Sequence, residues 1–365
     1  MTEAWSWHRL NLAALAVFAL GVLGCIIGST LDPAGFYRAW LCAFLFWLGV
    51  PLGAVTLVLV HDLSGGRWMG TARPALDAAI AMMPLATLAG IPAFVGLHDL
   101  YSWAHPARTL ASRFYLNIDT FLLRYAVYVV LWNLLAAYAL WAPRIGANPV
   151  AASLSWISGV GLVVLAFSAS FAAIDWIMSL EPTFWSSVFM MAAGAGWFNT
   201  GLALVLLVVA LSGGDREHMA DLAAILLATT IFWAYVEFCQ FLIIWEENLK
   251  LEIPWYLLRM AGRWRIAVFV AAAFGFFVPF FVLLWTPGKR RPLAVASVCV
   301  LVLGSRLAES WWLVLPEFRR TSPFWLDVAA ILALGGLVTL LFLWWLRTGG
   351  AAAPTVLRSV KAHHD

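Results

Sequence analysis

Ten times along this chain, an apolar run almost free of charge extends far enough to cross the hydrocarbon core of a bilayer. A helix needs about 20 such residues to span roughly 30 Å. Lipid offers the backbone no hydrogen-bond partners, so a spanning segment must satisfy its own. The runs cover residues 10–27, 36–60, 75–96, 118–141, 150–173, 184–211, 222–245, 266–285, 293–315 and 325–346. Only short connections remain, with no room for a soluble domain. A hydrophobic share of 64%, a charged share of 11% and a mean hydropathy of +0.90 agree, since soluble domains are nearer half apolar and a quarter charged. The fold class expected is all-α: a polytopic membrane protein of about ten transmembrane helices.

Tryptophan marks the boundaries. The chain has 22, many near span ends (Trp5, Trp7, Trp68, Trp103, Trp141, Trp185, Trp245, Trp255, Trp285, Trp311, Trp325), as interfacial anchoring predicts. The first span is not followed by a convincing cleavage site and reads as a retained helix rather than a signal peptide. Orientation follows Lys and Arg. The side with both termini carries Arg9, Arg67, Arg73, Arg144, Arg216, Lys289, Arg290, Arg291, Arg347, Arg358 and Lys361. The other side carries Arg38, Arg108, Arg113, Lys250, Arg259, Arg263, Arg265, Arg319 and Arg320. That excess, eleven against nine, puts both termini on the cytoplasmic side. The net charge of +3 singles out no partner beyond membrane lipid, and nothing points to nucleic acid.

Cofactor ligation is not written into the chain. Cys25, Cys42, Cys239 and Cys299 each stand alone inside a span, without CxxC, CxxCH or zinc spacing. They read as small buried hydrophobes. His8, His218, His363 and His364 are terminal or in loops, and His61, His98 and His105 lie at span ends, so no histidine pair faces a haem.

Two connections of about twenty residues share a character: LHDLYSWAHPARTLASRFYLN (97–117) and WEENLKLEIPWYLLRMAGRWR (245–265). Each mixes acids, aromatics, a proline and bases, as an interfacial amphipathic helix would. Each is followed by two spans and then a Glu/Pro/Phe-Trp link, SLEPTFW (179–185) and PEFRRTSPFW (316–325). An offset of four helices preserves direction, which suggests a parallel repeat of helices 2–5 and 6–9. The domains expected are an N-terminal peripheral helix (1–35), a first four-helix bundle (36–178), a second four-helix bundle (179–318), a C-terminal peripheral helix (319–346) and a cytoplasmic tail (347–365).

Ionisable groups inside such spans are costly, so they pair, line water or carry chemistry. Six are candidates for proton transfer: Glu237, Glu309, Arg306, Asp175, Arg124 and His61. At 1.5 Å per residue Glu237 lies about 12 Å below the interface opposite the termini. Arg306, Glu309, Arg124 and Asp175 fall in the same half of the bilayer, and His61 with Asp62 lies at the other end. The expected pairs are Arg124 with Asp175 and Arg306 with Glu237, leaving Glu309 unmatched. Such pairs can be inert fixers of helix register. An unmatched carboxylate suits proton carrying instead.

Several stretches resemble the ActF subunit of bacterial alternative complex III. They are FYRAWLCAFLFWLGVPLGAVTLVLVHDLSGGRW (36–68), GLHDLYSWAHP (96–106), FLLRYAVYVVLW (121–132), AIDWIMSLEPTFW (173–185), WAYVEFCQFLIIWEENLKLEIPWY (233–256) and LGSRLAESWWLVLPEF (303–318). ActF is similar in turn to the NrfD-like membrane subunits of polysulfide reductase-type complexes. The resemblance runs from about Phe36 to Phe318 and implies ten helices in two four-helix bundles plus two peripheral helices. It also implies membership of a quinol:cytochrome c or quinol:oxidase oxidoreductase in a respiratory electron-transport chain. The partners implied are an NrfD-like sister subunit, an iron–sulfur subunit, c-type cytochromes and a terminal oxidase. Haem c and iron–sulfur clusters would sit in those partners, and no cofactor on this chain itself. The NrfD-like sister is the better candidate for the quinol site, and this chain, with the six residues above, would offer a quinol-facing surface. One departure is that the family's Glu-Pro-His-Trp link reads Glu-Pro-Thr-Phe-Trp here. The alternative function is a secondary transporter with an intramembrane carboxylate/arginine site, and a third is a pure scaffold. Against transport, Pro51, Pro84, Pro92 and Pro279 do not interrupt corresponding positions of the two halves.

Overall fold

The computed structural model describes residues 2–66, 68–105, 114–141, 155–213, 215–318 and 323–348, and their regular structure is helical without strands. Arg67, Arg108, Arg113, Arg144, Arg319, Arg320 and the tail with Arg358, Lys361, His363 and His364 lie outside the described residues. Ten helices are long and apolar enough to cross a membrane. They are α1 (Trp7–Leu31), α2 (Pro33–Ser64), α3 (Arg73–Val95), α4 (Ile118–Trp141) and α5 (Ser155–Leu180). The second set is α6 (Phe189–Leu211), α7 (Arg216–Glu246), α8 (Trp264–Leu284), α9 (Pro292–Glu317) and α10 (Phe324–Thr348). Ten such helices make the chain a multi-pass membrane protein.

Local chemistry sets several boundaries. Asp32 caps α2 by accepting from the Gly35 amide at 3.0 Å, and Pro33 fills the first turn. Asp215 caps α7 in the same way through the Glu217 amide. Inside α3 the prolines act as breaks. Pro74, Pro84 and Pro92 each open a separate piece, Arg73–Ile80, Met83–Leu88 and Ile91–Val95. Neighbours cover the carbonyls around the second break: Trp40 Nε1 donates to Ala89 O at 2.7 Å and the Tyr125 hydroxyl to Thr87 O. In α8 a π-turn over Ala273–Phe277 precedes Pro279.

Burial identifies the centre. In their most apolar windows, 78% of α2 and 67% of α6 is buried, against 17% of α1 and 22% of α4 and α8. Helices α2 and α6 cross backbone to backbone at Gly53 and Gly201. A Cβ on Gly201 would lie 2.7 Å from Gly53 Cα and 2.7 Å from Val50 O. Without a hydrophobic drive between helices in lipid, such close approach through a Gly49-xxx-Gly53 face is a main source of association. Around this seam α3, α4 and α5 gather on α2, α7 and α9 gather on α6, and α8 packs on α7 and α9; α5 also meets α6, and α9 meets α2. Helices α1 and α10 pack along each other, and α10 joins the assembly through α2 and α3.

The two long connections depart from expectation. They are not surface helices where they are described. Leu97–Leu100 and Ser102–Ala104 form short turns that bury Tyr101 and Trp103, and Ile253–Arg259 is one short helix that buries Trp255, Tyr256 and Arg259. Their aromatic rings turn inward as plugs. The Tyr101 hydroxyl donates to Trp176 O at 3.0 Å, and Trp103 Nε1 to Ser179 Oγ at 3.3 Å, both at the end of α5. In the other half, Arg259 Nη2 donates to Leu313 O at 2.8 Å and Trp312 Nε1 to Arg259 O at 3.1 Å, at the end of α9. The last turns of α5 and α9 supply carbonyls that no helix continues to satisfy, and the plugs use them.

Candidate functional site

Five of the six candidate residues fall into two buried clusters. The first joins α4 and α5. Asp175 is fully buried and takes two aligned bonds from Arg124, Nε to Oδ2 at 2.8 Å and Nη2 to Oδ1 at 2.9 Å. This fork geometry is the strong form of the ion pair. The Tyr128 hydroxyl adds a third donor to Oδ2 at 2.7 Å. Arg124 Nη1 donates to Tyr115 O at 3.0 Å, and the guanidinium lies over the Tyr115 ring at 3.9 Å. Behind Tyr128, Trp132 stacks at 5.7 Å and donates its own Nε1 to Ser168 Oγ. Every charged oxygen here has a directed partner.

The second cluster lies on α7 and α9, and its pairing differs from the sequence expectation. Arg306 pairs with Glu309 on its own helix, Nη1 to Oε2 at 2.7 Å, rather than with Glu237. Spacing of three puts the two on one face, and Trp233 of α7 fills the gap between the helices. Its ring lies under the Arg306 guanidinium at 3.7 Å, and its Nε1 donates to Glu309 Oε1 at 3.0 Å. Glu237, one turn further along α7, is half-buried within electrostatic reach of Arg306 and Glu309. Among the described residues Glu237 makes no hydrogen bond or ion pair, so the unmatched carboxylate is Glu237, not Glu309.

This second cluster is incompletely bonded. Arg306 is 3% exposed and Glu309 7%. Nevertheless Arg306 Nη1 has no well-directed hydrogen-bond acceptor, and its Nε and Nη2 reach only Ser305 Oγ at 3.4 Å. Two glycines make room for the guanidinium. A Cβ on Gly275, in the π-turn of α8, would come within 2.6 Å of Arg306 Nη2, and one on Gly196 of α6 would lie 3.4 Å from Glu309 Oε2. Arg306 and Glu309 open on a cleft of about 30 Å³ at the seam, lined also by Leu45, Ile177, Thr200 and Leu313. That volume holds about two waters.

His61 is not brought to either cluster. At the far end of α2 its Nε2 contacts Gly66 O at 3.1 Å and its ring meets Trp68 edge-on at 5.0 Å, a local turn contact. Beside it Asp62 accepts from Ser158 Oγ at 3.0 Å, and Arg73 pairs with Asp77 at 2.7 Å.

Other buried charges escaped the sequence reading. Arg259 is 1% exposed, and the Trp255 ring covers its guanidinium at 3.8 Å. Burial pulls its pKa down to about 9, while the Glu317 and Glu181 carboxylates oppose that fall. Asp327, in the first turn of α10, is buried with Oδ1 unpartnered. Both sit at span boundaries, where a charge looks solvated until the packing is known. Among the described residues no group of three or more His, Cys, Asp and Glu side chains is placed to hold a metal ion. No protein-family model matches this chain, and no curated protein matches it either.

Proposed function

We propose that the chain is an integral membrane subunit of a quinol:cytochrome c or quinol:oxidase oxidoreductase complex of the alternative complex III type. Its own work there is to conduct protons. The observation that carries this reading is the Arg306–Glu309–Trp233 group: buried, under-bonded and open to a water-sized cleft between two helix groups. A fully satisfied pair would serve as a register pin. A buried carboxylate beside a guanidinium with spare donors and room for water can take up and pass on a proton.

Oxidising a quinol releases two electrons and two protons. The electrons belong to the iron–sulfur and c-type haem partners of the proposed assembly, and the quinol ring to a neighbouring subunit. Glu309 and Glu237 are then the carriers on this chain, Arg306 holds the negative form of Glu309, and Trp233 fixes its orientation. Arg124 and Asp175 hold α4 to α5. In the same reading the termini face the cytoplasm of a bacterial inner membrane and both clusters lie in the periplasmic half. Support for the assembly comes from the ordered motifs between Phe36 and Phe318. The transporter alternative calls for breaks at corresponding positions of a repeat. Helix α3 is broken, whereas α7, its counterpart at an offset of four, runs unbroken from Arg216 to Glu246.

A mild-detergent pull-down of the tagged chain from its native membrane, read by optical spectrum and mass spectrometry, tests the assembly. Co-purifying c-type haem and a large iron–sulfur protein are expected. A colourless chain that purifies alone contradicts the proposal and moves transport ahead.

A further inference from the structure

Three basic residues stand side by side in the turn from α8 to α9: Lys289, Arg290 and Arg291. Two prolines and a glycine shape this turn. Pro287 sits in the short helical piece Thr286–Lys289, and Pro292 opens α9. The Gly288 amide donates to Trp285 O at 2.8 Å, and the Arg291 amide donates to Gly288 O at 3.1 Å. A Cβ on Gly288 would run into the Val282 carbonyl, so the turn folds back tightly onto the end of α8. The three charges are therefore held at one compact corner rather than on a loose tether.

Among the described residues none of the three forms an ion pair. Lys289 is half-buried, Arg290 and Arg291 are exposed, and the Arg291 guanidinium lies over the Trp285 ring at 5.3 Å. Arg73, on the same face, is treated differently: it pairs with Asp77 at 2.7 Å and donates to Ala139 O at 2.7 Å. The turn packs on α7. Of the acids that open α7, Asp215 is spent on its own helix, accepting from the Glu217 amide at 2.8 Å and facing His218 at 3.6 Å. Glu217 and Asp221 are exposed and make no ion pair with the turn. Around the three charges lies an apolar skirt: Leu284 is 56% exposed, Trp285 55% and Leu293 80%. Tryptophan settles at the boundary between hydrocarbon and headgroups, and Lys and Arg lay their stems on apolar surface while their heads reach the phosphates.

We infer that the turn between α8 and α9 is a binding site for the phosphate headgroup of an anionic phospholipid. Lys289, Arg290 and Arg291 take the phosphate oxygens, the two arginines through their planar forks. Leu284, Trp285 and Leu293 take the carbons next to the headgroup. That apolar side selects a lipid over free phosphate, which has nothing to place against it. Three unpaired cations match a headgroup with two phosphates better than one with a single phosphate. The site lies on the face of the termini, away from the Glu309 cluster, and does not rest on the conduction reading.

The test is native mass spectrometry of the full chain in mild detergent, titrated with one lipid at a time. The probes are a bis-phosphatidyl glycerol, phosphatidylglycerol and phosphatidylcholine, with inorganic phosphate as competitor. Affinity is expected to fall in that order of lipids, and phosphate at the same concentration should displace none of them. One basic residue near a membrane surface is worth about fivefold in binding. The triple variant Lys289→Gln/Arg290→Gln/Arg291→Gln should therefore bind the anionic lipids at least tenfold more weakly. The control Lys250→Gln/Arg263→Gln/Arg265→Gln removes the same charge from the other face and should bind like the parent. Should the first triple variant fail to fold, Arg290→Gln decides alone, because that side chain is exposed, and its affinity should drop about fivefold. Parent-like affinity in the folded triple variant overturns the proposal, as does an equal loss in the control. Equal binding of phosphatidylcholine overturns it too, and displacement by inorganic phosphate would make the turn a site for a free anion instead.

Discussion

The two halves of this protein each bring an arginine to a buried carboxylate, yet bond the pair differently. In the first half Asp175 receives three directed donors from two side chains, and Arg124 spends its remaining Nη1 on the Tyr115 carbonyl. In the second, Arg306 faces Glu309 along one helix with Nη1 poorly aligned, a glycine on either side and a cleft in front. Taking a charge out of water costs several kcal/mol, and only a full set of partners offsets it. A pair so equipped has no reason to change protonation. A pair left short has somewhere for a proton to go. The contrast teaches that an intramembrane charge is not by itself a functional signal; what matters is how many of its bonds are left for water.

The contrast can be broken most severely at Asp175. Asp175→Ala leaves a part-buried Arg124 with only the Tyr115 carbonyl and ring, which should cost about 3 kcal/mol, the low end for a broken buried pair. The expected result is little folded protein, or a thermal midpoint well below the parent in detergent. A parent-like midpoint would mean that the first cluster is as loosely bonded as the second. Next in size is the seam. Gly201→Leu drives a side chain into the Gly53 backbone and should destabilise by about 1–3 kcal/mol or more, as overpacking does. Cross-linking between α2 and α6 should fall with it. If the midpoint is unmoved, the halves are not joined at this crossing.

Smaller effects sharpen the comparison. Glu237→Gln removes no hydrogen bond or ion pair, so stability should stay within about 0.5 kcal/mol of the parent, while the rate of proton release falls. Loss of assembly in this variant would show that Glu237 is structural. The smallest effect belongs to His61→Ala, which removes only a turn contact at the opposite end of the bundle. Proton yield and midpoint should both be parent-like, and a lost proton yield would bring that end of the chain into the path.

Much of this was legible in the sequence, for physical reasons. A spanning helix must declare itself in about twenty apolar residues, so all ten could be counted. The Arg124–Asp175 pair followed from depth, because α4 starts and α5 ends on the same face and both side chains lie within two turns of it. The partner of Arg306 did not follow. Helical spacing allowed both Glu309 and Glu237, and the choice was made by Trp233, whose ring occupies the space between α7 and α9. The plugs were misread because an amphipathic composition suits a surface helix and an inward turn equally. Only the free carbonyls at the ends of α5 and α9 decide between them. Arg259 was hidden for the same reason, as a basic residue in a connection that the packing then buries.

The measurement that tests the central claim most directly is the proton yield per quinol in the reconstituted complex carrying Glu309→Gln, beside Asp175→Asn. Asp175→Asn keeps a side-chain oxygen for Arg124 and Tyr128. The account predicts a reduced yield with assembly and electron transfer retained for Glu309→Gln, and a parent yield in whatever Asp175→Asn complex assembles. Equal, parent-like yields in both would contradict it and leave the second cluster, like the first, a pin between helices.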